Sequence, residues 1–109
     1  MNNTLYNFNY PSTLLRDFTY WVVLLRPRQI TLGSLILASK DKSESLADIS
    51  VEAFQELKII TKQIDKILKF NFDFDKINYL AYMMIDNHVH FHVTPRYSTI
   101  KKFNEIEFK

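Results

Sequence analysis

The sequence predicts an α+β fold: an antiparallel sheet of about five strands with one long helix packed on it. Three features carry that expectation. The runs FTYWVVLL and HVHFHVTP are dense in aromatic and β-branched residues, which fit a pleated surface. Between them lies one long stretch in which apolar residues recur every three or four positions, the period of an amphipathic helix. The last two strand candidates are separated by so few residues that only antiparallel pairing can join them.

The elements follow in order. Residues 1–11 are polar and aromatic without a sustained period, and read as an irregular or edge-strand arm. Residues 18–25 form the first strand, which stops at RPRQ because Pro27 disfavours helix at Arg26 and cannot donate to a ladder. The chain resumes after Gly33 as SLILASK, giving a hairpin of two antiparallel strands. After the polar DKSESLAD loop, Ser50 stands as a helix N-cap, with Glu52 facing the positive end of the dipole. Phe54, Leu57, Ile60, Ile64, Ile67 and Leu68 make the apolar face that covers one side of the sheet. The helix is expected to end near Lys69 or Phe70, where NFDFD interrupts the pattern. KINYLAYMM and HVHFHVTP are the next two strands, joined by Ile85, Asp86 and Asn87 in a tight hairpin. Residues 98–109 carry Ile100, Phe103, Ile106 and Phe108, which can pack as a last element or as a dimer arm.

A chain of 109 residues has room for one compact domain, taken here as residues 1–109. Apolar residues make up 47% of it, which excludes a disordered segment and allows a packed interior without staples. The absence of cysteine excludes a disulfide framework, a thiolate metal site and a cysteine nucleophile, and fits a reducing, cytoplasmic setting. The longest apolar stretch, residues 21–25, is far too short to span a bilayer, and no targeting segment is read. A net charge of +2, with both signs scattered, gives no reason to expect nucleic acid or an anionic membrane as partner. A single glycine excludes a glycine-rich phosphate loop, so any anionic ligand must be held by a local cluster.

That cluster is visible. All three histidines stand at 88, 90 and 92, and in a strand this period of two aims them at one face while Val89, Phe91 and Val93 face the other. Same-face neighbours lie about 7 Å apart, so one imidazole can attack a phosphorus while the others reach its oxygens. A neutral imidazole is a competent nucleophile near pH 7, because its reference pKa is about 6.5. Three protonated neighbours would repel one another, so the roles of nucleophile, oxyanion partner and acid can be divided. The competing readings are an accidental surface stripe and a metal site. Neighbouring strand positions fan out along a line, whereas a tetrahedral zinc site draws ligands from separate elements, so no metal is expected.

HVHFHVTPR resembles the signature of the histidine-triad (HIT) superfamily, His-x-His-x-His followed by two apolar or small residues and often Pro-Arg. The order of elements from Phe18 to Tyr97 is similar as well. RPRQITLGSLILASK and KINYLAYMMIDNHVHFHVTPRY look most like a bacterial branch of diadenosine-polyphosphate hydrolase-like proteins. The resemblance implies a HIT-like α+β fold, a homodimer, and attack on the α-phosphorus of a nucleotide by the central histidine. That histidine is His90 here; His92 would contact phosphate oxygens, His88 would help orient nucleophile and leaving group, and Thr94 and Arg96 would border the pocket. No cofactor is implied. Two departures stand out: Ser34 follows Gly33 where well-studied members carry a histidine, and the three-residue hairpin before the triad is shorter than their glycine-containing loop.

Other candidates are weaker. Arg26, Arg28 and Gln29 share a turn that can grip phosphate if it faces the triad, and is otherwise a solvated turn. Asn78 can orient an imidazole or a ribose, or simply bond its own backbone; Asn87 is the natural turn residue of the hairpin. Tyr20, Trp21, Tyr79, Tyr82 and Phe91 can stack a base, although Trp21 and Phe91 read as core. Two functional classes follow, an enzyme acting on a nucleotide-like small molecule and a binding module that keeps the triad face without turnover.

Overall fold

The structure, a computed structural model, describes residues 3–84, 86–99, 101–103 and 106–108. Five strands form one antiparallel sheet: β1 (Leu14–Asp17), β2 (Trp21–Leu25), β3 (Leu35–Ser39), β4 (Lys76–Leu80) and β5 (His90–Arg96), in the spatial order β1-β2-β3-β5-β4. A short helix α1 (Asn3–Asn7) precedes them, and the long helix α2 (Val51–Phe72) stands between β3 and β4. The α+β expectation, one antiparallel sheet of five strands with one long helix on it, is met. Two further strands, β6 (Lys101–Phe103) and β7 (Ile106–Phe108), pair with each other as a separate ribbon. Among the described residues no helix is long and apolar enough to cross a membrane.

The sheet has two buried faces. On one, Trp21, Val23, Leu35, Leu37 and Val93 pack against Ala53, Ile60, Ile64 and Leu68 of α2, and the Trp21 indole N–H donates to the Ala53 carbonyl at 2.8 Å. On the other, Val22, Leu24, Ile36 and Ala38 are covered by Leu5, with Phe8, Tyr10 and Leu14 beside it. Strands buried on both faces read as continuous apolar runs, which is why WVVLL and LILAS show no alternation.

α2 begins as its cap dictates, with Ser50 Oγ accepting from the Ala53 N–H at 3.1 Å. It runs to Phe72, two residues past the expected end, and closes on Asp73 in the left-handed region at φ 50°. Gly33 sits below that end with φ 86°, and a Cβ there would lie 3.1 Å from Phe72 Cδ2. Only glycine satisfies both the positive φ and the close approach.

Three expectations are corrected. Residues 3–7 of the arm are helical, where an irregular or edge-strand arm was expected. The first strand begins at Trp21 because Phe18, Thr19 and Tyr20 form a turn: the Phe18 N–H donates to the Trp21 carbonyl, and the Glu56 carboxylate accepts from the Thr19 and Tyr20 N–H groups. Before that turn lies the unanticipated edge strand β1. The hairpin between the last two strands is not tight. β4 ends at Leu80 and β5 starts at His90, so the connection is residues 81–89. It leaves the sheet because α1 holds it: Asn7 Nδ2 donates to Asp86 at 2.7 Å, and the His88 N–H donates to Thr4 Oγ1 at 3.1 Å. Of the hairpin's expected residues, Ile85 lies outside the described residues.

Candidate functional site

The register fixes the face on which the histidines act. Ile36 pairs with His92 and Ala38 with His90, and directly opposed residues share a face, so His90 and His92 lie on the side away from α2. His90 lies with Ala38 and Val22, and His92 with Ile36, Leu24 and Leu80. Arg26 extends β2 by one step, its N–H donating to the Ser34 carbonyl at 3.2 Å. Continuing the β3–β5 register puts Ser34 opposite Thr94, which pairs with Asn78. A polar row of Arg26, Ser34, Thr94 and Asn78 therefore borders the His92 row.

His90 has no exposed surface. Its Nδ1 lies 2.8 Å from the His88 carbonyl, which can only accept, so Nδ1 carries the proton and Nε2 presents its lone pair. Nε2 is buried and has no hydrogen-bond partner among the described residues, an arrangement that costs stability unless something occupies the nitrogen. His88 precedes the strand in a bend, with Nδ1 3.0 Å from Thr4 Oγ1. The rings of His90 and His92 are 5.1 Å apart and nearly perpendicular.

His92 is half-buried. Burial first, then the neighbouring His90 and Arg26, hold its pKa below the usual 6.5, with Asp86 pulling the other way. Arg26 is thus near enough to act on His92. Burial and the adjacent Arg28 lower its own pKa, but a guanidinium starts so high that it stays charged. Its Nη1 donates to the Arg28 carbonyl, and its Nε is buried with no hydrogen-bond partner among the described residues. Near pH 7 a His92 so shifted is neutral, and the cationic Arg26 gives its surroundings a fixed positive charge.

The remaining candidates divide. Gln29 is committed to the β2–β3 turn: its Nε2 donates to the Arg26 and Ser34 carbonyls, both at 2.8 Å, and its Oε1 accepts from the Gly33 and Ser34 N–H groups. Arg28 is exposed in the same turn. Arg96 shares the triad face but stands at its exposed far end, about 13 Å along the strand from His92. Thr94 and Asn78 lie one row from His92. Trp21 and Phe91 belong to the helix-side core, whereas Tyr82 is exposed with its ring 6.4 Å from His92.

The residue that sequence reasoning did not place is Phe8. Its ring centroid is 5.6 Å from that of His90 and 5.8 Å from that of His92. It arrives from α1 across the triad face, and only its aromatic character marked it in the sequence. Among the described residues no group of three histidines and carboxylates is arranged to hold a metal ion.

No sequence-family model matches the chain, and no curated protein matches it in sequence. Its shape, however, matches solved structures. A HIT-like protein from Bartonella henselae involved in cell-cycle regulation is 21% identical with a TM-score of 0.71, the match covering 87% of this chain and 78% of that one. A hypothetical histidine-triad nucleotide-binding protein from Sulfolobus tokodaii is 16% identical with a TM-score of 0.73, over 97% and 78% of the two chains. The diadenosine triphosphate hydrolase of Plasmodium falciparum is 14% identical with a TM-score of 0.71, over 95% and 82%. At these identities the likeness concerns architecture: the chain has the fold of the histidine-triad proteins, and it carries its own three histidines beside the sheet face that the long helix leaves free.

Proposed function

We propose that the chain is a histidine-triad enzyme that cleaves or transfers at the α-phosphorus of a nucleoside phosphate derivative, a dinucleoside polyphosphate or a nucleoside phosphoramidate. One observation carries this reading: the His90 ring is fixed by the His88 carbonyl so that an unpartnered Nε2 lone pair is left for an electrophile. In the first step Nε2 forms a bond to phosphorus while the bond to the leaving oxygen or nitrogen breaks. The leaving group takes that electron pair and a proton, for which the neighbouring histidines are the candidate acids. Water or another acceptor then attacks phosphorus, gives up a proton, and returns the nitrogen its lone pair. Arg26 and the His92 ring stabilise charge on the phosphoryl oxygens, and Thr94 and Asn78 flank the same group. We propose further that it acts as a homodimer, as the family resemblance implies, in the reducing cytoplasm that a cysteine-free sequence fits.

The second reading, a nucleotide-binding module without turnover, is favoured by the complete burial of His90 beneath Phe8. A panel of nucleoside phosphoramidates and dinucleoside polyphosphates, assayed with wild type and His90→Ala, separates the two. The enzyme reading expects turnover that falls by at least about a thousandfold in the variant, as losing a nucleophile does elsewhere, and a phosphorus–nitrogen adduct trapped on wild type. Saturable binding of nucleoside monophosphates with neither product nor adduct would leave the module.

A further inference from the structure

An apolar cleft lies on the other side of the sheet. Between α2 and the β1–β2 edge is a cleft of about 230 Å³, floored by Val23 and Leu35 and walled by Ile64 and Leu68. A β-bulge builds its mouth. The β1–β2 register runs from Leu14↔Leu24 to Arg16↔Val23, leaving Leu15 as the extra residue. Leu14 keeps to the triad-side cluster with Leu24, whereas Leu15 and Arg16 both line the cleft. Regular alternation would have sent Arg16 to the opposite face.

The bulge therefore puts one cation at the rim of an apolar slot. Among the described residues Arg16 has no carboxylate partner. Its guanidinium stacks on the Phe18 ring, 5.5 Å from the centroid, and the adjacent Asp17 is taken by Lys40 at 2.9 Å. Apolar cavities of about 150 Å³ already take up benzene, so this one has room for more. At roughly 30 Å³ per water-sized group it holds about seven or eight such groups.

We propose that this cleft binds one small amphipathic carboxylate, its acyl chain lying between α2 and the sheet and its carboxylate on Arg16. A second copy of the chain is a poor occupant, because β1 is a short, bulged edge that offers little to pair with. The sheet separates the cleft from the triad, so the ligand is neither substrate nor part of the proposed reaction.

The test uses the full chain with octanoate, 1-octanol and acetate as probes, read by calorimetry and by methyl NMR. Octanoate is expected to saturate a single site and to shift the methyls of Leu15, Ile64 and Ile67 while leaving the His90 and His92 rings unmoved. Acetate should not bind. Arg16→Gln, a change at an exposed position, should weaken octanoate about fivefold, the ratio a rim ion pair supports, and leave octanol unchanged. Absence of saturation, or equal octanoate affinity in the variant, overturns the proposal. So does a dimer in sedimentation that Leu15→Lys dissociates, which would assign the cleft to a second copy.

Discussion

At the residue scale, His92 is where the electrostatics of the site can be read directly. Its pKa is held below 6.5 by burial, by His90 and by Arg26, against Asp86. In a histidine-resolved NMR titration His92 should therefore change charge below that value. Arg26→Gln removes one of the depressing charges and should move the midpoint up, whereas Asp86→Asn removes the one opposing charge and should move it down. A His92 midpoint insensitive to both would mean that neither group faces the imidazole. The positions of His90 and His92 were legible in the sequence because a period of two allows only one face. The choice among Arg26, Arg28 and Gln29 was not. A turn has no period, and only the bonds Gln29 makes to Gly33 and Ser34 show that its amide closes the turn while Arg26 carries on the strand.

At the scale of elements, α2 and the central strands were legible, since each shows a strong period or an apolar run together with a cap or a breaker. The arm, β1 and the connection at 81–89 were not, because tertiary contacts form them. Thr4 and Asn7 draw the connection outward, and Leu5 is buried only because the β2–β3 face lies beneath it. The consequence for the site is that α1 brings the Phe8 ring against those of His90 and His92, and under the proposed function this ring is expected to screen Nε2. Phe8→Ala should raise the rate at which diethyl pyrocarbonate modifies His90 by several-fold, measured by peptide mass mapping, with Ile49 and other distant core positions unaffected in their NMR shifts. An unchanged rate would show that Phe8 is not what closes the site.

At the scale of the molecule, the sheet divides two environments, an apolar layer under α2 and a polar-edged layer holding the triad, and the second makes stability depend on pH. In the unfolded chain a histidine binds its proton near pH 6.5; in the folded protein His92 binds it only at lower pH. Between those two values the unfolded state holds more protons, so stability rises with pH across the window. The contribution of His92 is accordingly complete above about pH 6.5 and is lost as the pH falls toward the folded-state value. Urea unfolding of wild type and His92→Gln across that range should show the wild type losing stability on acidification more steeply than the variant, with the two curves parallel above it. A nucleotide bound on the triad face would reverse part of this loss if its phosphate favours protonated His92, because a ligand that binds only the folded state adds its own linkage. Parallel curves throughout, with no ligand present, would mean that His92 is as well solvated in the folded protein as in the unfolded chain, which its half-burial beside Phe8 and Arg26 contradicts.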